Sequence, residues 1–282
     1  MKKTLLVLVL CIINNVVIGQ GSPKNYTNLT EALKDPESVE VLLLNDKGLT
    51  DFPDQIFQFK NLTYLELVNN QIKDLPNNLG QLSNLFYLNL AGNNLSGLPE
   101  NFSDLKALRH LYLDYETPQN LERDFTILSK LPLLTELEIS GKKITYLPAA
   151  VGSLQSLEYF ELLNSEIEEL PVEFSNLKKL QVLYINNDKR FNFQKNIDVL
   201  SQLPNLSELH LEGDNFTEIP SKISKLQSIE YLFLNYNNLK ELPSEINQLK
   251  NLRFIDISNN EIPNYLLHRY REDMLPTIRI RF

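Results

Sequence analysis

Among side chains able to carry chemistry, the sequence offers three histidines, one cysteine and several closely spaced carboxylates. His110, His210 and His268 lie far apart in the chain, and none stands in an H-E-x-x-H or comparable ligand spacing. Glu136/Glu138 and Glu208/Glu212 are paired at even spacing, which on a strand puts both carboxylates on one face. Such pairs hydrolyse glycosides when they flank a substrate inside a cleft. Here they read instead as a solvated acidic face. There is no glycine-rich phosphate loop and no G-x-S-x-G. Cys11 is the only cysteine, so no disulfide or cysteine metal site is available. The reading is a non-catalytic chain with no cofactor and no metal.

The elements that must position these residues are set by repetition, which is checked before local structure. Leu62-Thr-Tyr-Leu65-Glu-Leu67-Val-Asn-Asn70-Gln-Ile72-Lys-Asp-Leu75-Pro76 serves as the ruler. The same wording restarts at Leu85, Leu108, Leu134, Leu157, Leu180, Leu206, Ile229 and Leu252. A first copy begins at Val39 and a truncated one at Ile278. The steps run 23, 23 and 26 residues, three times over, giving a super-period of 72. In each longer third unit the Leu-Pro step is missing. Phe125-Leu128-Leu131, Ile197-Leu200-Leu203 and Leu267-Tyr270-Met274 replace it, at spacings that suit a helix.

Alternation at Leu65 and Leu67 predicts a short strand with one face inward. Asn70 turns the chain, its amide placed to bond the backbone of neighbouring units. That position is kept at Asn93, Asn237 and Asn260, and becomes Lys47, Glu116, Lys142, Ser165, Asp188 and Asp214 elsewhere. The ladder is therefore expected to be weaker in its middle, with Lys47, Glu116 and Lys142 turned outward. One unit is unable to bury its apolar face, whereas a stack of ten can.

The pattern L-x-x-L-x-L-x-x-N-x-L-x-x-L-P resembles the leucine-rich repeat family, in the 23-residue form of exported bacterial members. The resemblance implies an α/β solenoid: a horseshoe with a parallel β-sheet on the concave face and short helices or irregular turns on the convex face. Its usual role implies a protein partner. The expected division is a signal peptide over 1–19, an N-terminal helical cap over 20–38, ten repeats over 39–264, and a C-terminal cap with a terminal strand over 265–282.

Met1-Lys2-Lys3, the apolar run from Leu5 to Ile13 and Val17-Ile18-Gly19 together read as a secretory signal, the run being too short to span a bilayer. Lipidation at Cys11 is disfavoured because Leu10, the residue before it, is not small. The expected location is therefore exported: secreted, periplasmic or cell-surface. Loss of Lys2 and Lys3 would move the formal charge from −9 to −11, which repels nucleic acid and favours a basic or neutral partner.

The concave strip carries the information. The third residue of successive strands reads Val41, Tyr64, Tyr87, His110, Glu136, Tyr159, Val182, Glu208, Tyr231 and Phe254. The fifth reads Leu43, Glu66, Asn89, Tyr112, Glu138, Glu161, Tyr184, His210, Phe233 and Asp256. From these, Tyr64, Tyr87, Tyr112, Tyr159, Glu161, Tyr184, His210, Tyr231, Phe233 and Phe254 are taken as the partner-binding set. The tyrosines and both strand histidines are expected to be exposed, since leucines own the inner face. Alternatives are simple packing across the sheet, a glycan ligand on the aromatic platforms, or an intracellular scaffold resembling the Ras-associated repeat proteins if the signal is misread.

Overall fold

The computed structural model describes residues 23–273 and 278–282, with the side chain of Asp273 left out. The segment assigned to a signal, residues 20–22 of the N-terminal cap and Met274 of the last helix lie outside those residues. Twelve strands among the described residues form one parallel sheet, ordered as in the sequence. They are β1 (Asn25–Tyr26), β2 (Val41–Leu43), β3 (Tyr64–Glu66), β4 (Tyr87–Leu95), β5 (His110–Tyr115), β6 (Glu136–Ser140), β7 (Tyr159–Leu163), β8 (Val182–Asn186), β9 (Glu208–His210), β10 (Tyr231–Phe233), β11 (Phe254–Asp256) and β12 (Arg279–Arg281). Equivalent repeat positions sit side by side: Leu65 pairs with Leu88, and Leu232 with Leu209 and Ile255. The inward leucines of neighbouring strands join into one continuous core.

The return segments take two forms for a local reason. Where Leu-Pro or Ile-Pro is present, the proline fixes φ and a short 3-10 turn follows, as at 100–104, 149–153, 172–176, 221–225 and 244–248. Each turn drops one apolar side chain into the core, for example Phe102, Val151 and Phe174. The longer third units lack that proline and fold as helices: α2 (Leu121–Leu128), α3 (Phe193–Leu200) and α4 (Asn264–Asp273), after a short α1 (Leu29–Ala32) near the N-terminus. Asn120 and Asn192, 72 positions apart, cap α2 and α3 by accepting from Arg123 N and Lys195 N. Leu121, Phe125 and Leu128 in α2, and Phe193, Ile197 and Leu200 in α3, are buried at helical spacing.

Polar groups trapped in the turns are satisfied by the next unit. Asn70 Oδ1 accepts from Lys47 N and Leu49 N at 3.0 Å each, while its Nδ2 donates to Leu44 O and Leu67 O. Asn93, Asn237 and Asn260 repeat the arrangement. Asp188 keeps only the accepting half, taking Ile167 N at 2.8 Å and Ser165 Oγ at 2.7 Å. Lys47, Glu116 and Lys142 are exposed.

A second ladder closes the opposite turn. Asn61, Asn84, Asn205 and Asn251 donate to main-chain carbonyls of the preceding unit, with Ser156 and Ser228 doing the same. The three helices contribute a further device. Asp124, Asn196 and the Tyr270 hydroxyl each accept the N–H of the leucine ahead of a proline in the previous unit: Leu98, Leu170 and Leu242.

Asp214 is the flaw in the first ladder. Its Oδ1 accepts from Asp188 N, but its Oδ2 is buried without a partner among the described residues. Burial, with Asp188 and Glu212 as negative neighbours, pushes its carboxyl up to about 9. A raised carboxyl holds its proton in the folded chain. Its contribution to stability is thus complete below the unfolded value of 3.8 and falls away as pH rises through about 9. Asp214→Asn should raise the thermal midpoint at pH 8 and flatten the stability profile between pH 4 and 9. Asn237→Ala, which strands two buried N–H groups, should cost about 2 kcal/mol in a denaturant titration at any pH.

Candidate binding face

Parallel strands stand about 4.8 Å apart, so rings at equivalent positions on neighbouring strands are held at stacking distance. On the N-terminal half, Tyr64 and Tyr87 stack with centroids 4.1 Å apart, and Tyr87 tilts against Tyr112 at 5.3 Å. On the C-terminal half, a longer run passes from Tyr159 to Tyr184 (5.3 Å), His210 (3.6 Å), Phe233 (4.0 Å) and Phe254 (5.3 Å). Between the two runs stand Glu136, Glu138 and Glu161, with Glu138 directly opposite Glu161 in register.

The hydroxyls of these rings donate to the carboxylates beside them. Tyr64 OH donates to Glu66 Oε1 at 2.6 Å, and Glu66 also accepts from Asn45 Nδ2. Tyr159 OH donates to Glu161 Oε2 at 2.5 Å. Glu136 bridges Tyr112 OH and His110 Nδ1. Burial, reinforced by these anionic neighbours, pushes the phenols of Tyr64, Tyr112 and Tyr159 far above their ordinary value and Tyr87 up to about 12. All four are neutral at physiological pH; Tyr64, Tyr112 and Tyr159 donate, while the Tyr87 hydroxyl accepts from Asn89 Nδ2 at 3.2 Å. Burial also raises the Glu161 carboxyl, against the opposing effect of the Tyr159 hydroxyl.

His210 lies at the centre of the second run. Its Nε2 meets Glu208 Oε1 at 2.7 Å and its Nδ1 meets Glu212 Oε2 at 3.1 Å. An ionised carboxylate only accepts, so two such partners require a proton on both ring nitrogens. Protonated in that way, His210 is sandwiched between the faces of Tyr184 and Phe233, where ring quadrupoles favour a cation. Burial alone would lower its pKa, but the two glutamates outweigh that and hold it above 6.5. Glu212 is fixed in turn by Asn235 Nδ2 at 2.8 Å and Asn186 Nδ2 at 3.3 Å. Burial there is outweighed by these donors, and its carboxyl stays below the usual range.

This geometry corrects the expectation that the strip is exposed. Tyr87, Tyr112 and His210 are 6%, 3% and 4% exposed, and His110 is buried as well. The close strand spacing lets each ring cover the next. Tyr64, Tyr159, Glu161, Tyr184, Phe233 and Phe254 are half-buried, leaving Tyr231, at 37%, as the exposed member of the set. Nine of the ten residues form three groups: Tyr64 with Tyr87 and Tyr112, the run from Tyr159 to Phe254, and Glu161 beside Tyr159; Tyr231 stands on β10 in register with Glu208 and Phe254. Glu208 and Glu212, read from the sequence as a solvated pair, are the clamp on His210.

The seventh residues of the repeats also face this side. Among them Asn45, Asn186, Glu212 and Asn235 contribute hydrogen bonds that the third and fifth positions alone did not reveal. Continuing the alternation by two residues would have found them. No group of three or more His, Cys, Asp or Glu among the described residues is arranged to hold a metal ion. No helix there is long and apolar enough to cross a membrane.

Comparison with known proteins agrees with the architecture. A family model described as "Leucine rich repeat" matches residues 37–95, 61–117 and 204–262, and one described as "Leucine-rich repeat region" matches 118–214. Among curated proteins none matches the chain in sequence. The leucine-rich repeat domain of the type III effector XopL aligns with a TM-score of 0.55 at 24% identity, over 90% of this chain and 79% of that one. A TDR receptor aligns with a TM-score of 0.60 at 22% identity, over 98% of this chain and 49% of the receptor, so the chain spans about half of it. A leucine-rich repeat protein of Leptospira interrogans aligns at 24% identity over 92% of this chain and all of that one, with a TM-score of 0.41.

Because the folded pKa of His210 is raised, the stability tied to its charge is complete below pH 6.5 and is lost as pH climbs through the folded value. His210→Gln removes one charged donor from two partly buried carboxylates. It should cost about 2 kcal/mol at pH 6, with the gap to the parent narrowing at alkaline pH in matched denaturant titrations.

Proposed function

The chain belongs to the leucine-rich repeat family, and on that premise we propose that it is a non-catalytic binding module whose concave face receives a protein with a basic or neutral surface. The observation that carries this reading is one of composition in place. The third, fifth and seventh residues of the ten repeats include eight carboxylates and neither lysine nor arginine. Arg279 and Arg281 stand on β12, beyond the repeats, where Arg281 pairs with Asp256 at 3.3 Å.

The aromatic runs fit the same role. Stacked rings tied down by hydroxyl–carboxylate bonds are already ordered, so a partner meets a surface that has little side-chain freedom left to lose. Half-buried tyrosines with a wet edge also suit an interface centre. The basic start and apolar run at residues 1–19 support export from the cytoplasm, which fractionation of the producing cell tests directly.

An affinity capture with the full chain tests the face. A partner held there should be lost from a Tyr159→Ala/Tyr184→Ala variant, each anchor contributing about 2 kcal/mol. Its association should slow as salt is raised from low to physiological strength. Capture that survives both the substitutions and the salt would contradict the assignment.

A further inference from the structure

The two carboxylates that clamp His210 are not equivalent. Glu212 is 9% exposed and, besides the ring, accepts from Asn235 Nδ2 and Asn186 Nδ2. The Glu208 side chain is 31% open to solvent, and His210 Nε2 is its carboxylate's one hydrogen-bond partner among the described residues. Glu208 stands on the concave side, in register with Val182 of β8 and the exposed Tyr231 of β10. The other groups around the ring come from neighbouring strands. β8 supplies the Tyr184 ring at 3.6 Å and β10 the Phe233 ring at 4.0 Å. Glu161, on β7, adds a third negative charge within electrostatic reach of His210. The third, fifth and seventh residues of these four repeats include neither lysine nor arginine. A proton on His210 is therefore the one positive charge those positions can carry.

Loss of that proton leaves one ring N–H for two carboxylates. Glu212 is buried and held by two amides, so it keeps the remaining N–H at Nδ1, where an unmet acceptor would cost most. The Nε2 lone pair then faces the Glu208 carboxylate, a contact between two acceptors. Glu208 has solvent beside it and can exchange the ring for water, so it is the partner that turns away.

Resting on the concave-face reading above and deepening it, we propose that the clamp of Glu208, His210 and Glu212 gates that face by pH. Protonated, His210 holds Glu208 against the ring; neutral, it releases Glu208 to meet a cationic group of the partner protein. Release also removes a positive charge from the face. Both changes favour a basic partner as pH rises and disfavour it on acidification. Burial lowers the pKa of the ring and the two glutamates raise it by more, which puts the change above pH 6.5.

The probe is a short oligoarginine peptide, whose guanidinium charges stay constant over the range used. Its affinity for the full-length protein should tighten about tenfold from about pH 5.5 to about 8.5 at fixed ionic strength. The step should share its midpoint with the His210 imidazole resonance of the unaltered protein, followed by NMR. His210→Gln, an uncharged donor, should bind more tightly than the parent at the acid end and show no step. Glu208→Gln should shrink the step and move it to lower pH, because the ring has lost one of the carboxylates that hold its proton. A step that survives in His210→Gln belongs to Glu161 or another carboxylate and would overturn the gate. So would a His210 resonance that does not titrate with the step, a result that needs no variant. Flat binding that Tyr159→Ala/Tyr184→Ala abolishes would overturn the gate and leave the concave face standing. A peptide that does not bind, or binds the parent and every variant alike, would overturn both.

Discussion

Everything in this fold depends on a repeat being unable to satisfy itself. A single unit would leave its leucines wet on one side and its turn amides without acceptors, and both defects are cured only by the unit beside it. Asn70 shows the constraint in one side chain: it accepts from the main chain of the preceding repeat and donates both to that repeat and to its own. A mirror arrangement at the other turn, from Asn61 to Glu37 O and onward, holds each unit by its opposite corner. Register between strands is therefore enforced at both ends of the repeats that begin at Leu62, Leu85, Ile229 and Leu252, and the leucine core fills what lies between.

The concave face inherits that enforcement. Strands locked in register bring equivalent side chains to stacking distance whether or not a ligand is present, so tyrosines placed there pack on one another first. Their hydroxyls then need acceptors, and the glutamates at alternate positions supply them. The balance tips toward order at His210, where two carboxylates and two ring faces converge on one imidazole. The strip is thus both structural and available. Its buried members stiffen the platform, while Tyr231 and the edges of the half-buried rings remain open to a partner.

Much of this was legible in the residues. The 23-23-26 spacing marked the units, the missing Leu-Pro steps coincide with α2 to α4, and the alternation of the strands identified which side chains share the concave side. Solvent exposure was not legible, because the fate of Tyr112 or His210 is decided by rings and carboxylates on adjacent strands, 23 to 26 positions away. The left-handed φ of Tyr236 was equally hidden. Eight of the ten units share that conformation at this repeat position, Tyr115 and Gly141 being the exceptions, and only the neighbours' Asn, Asp and Gly betray it. Asp124, Asn196 and Tyr270 perform one task with three chemistries, so no single-letter pattern announces them.

Carboxyl footprinting of the chain, free and bound to the protein it captures, tests the central claim that the concave face is the receiving surface. The account predicts that Glu138 and Glu161 lose reactivity on binding while Glu168, Glu169 and Glu173, on the turns of the return side, keep theirs. Protection of the latter three with Glu138 and Glu161 unchanged would place the partner on the return side and contradict it.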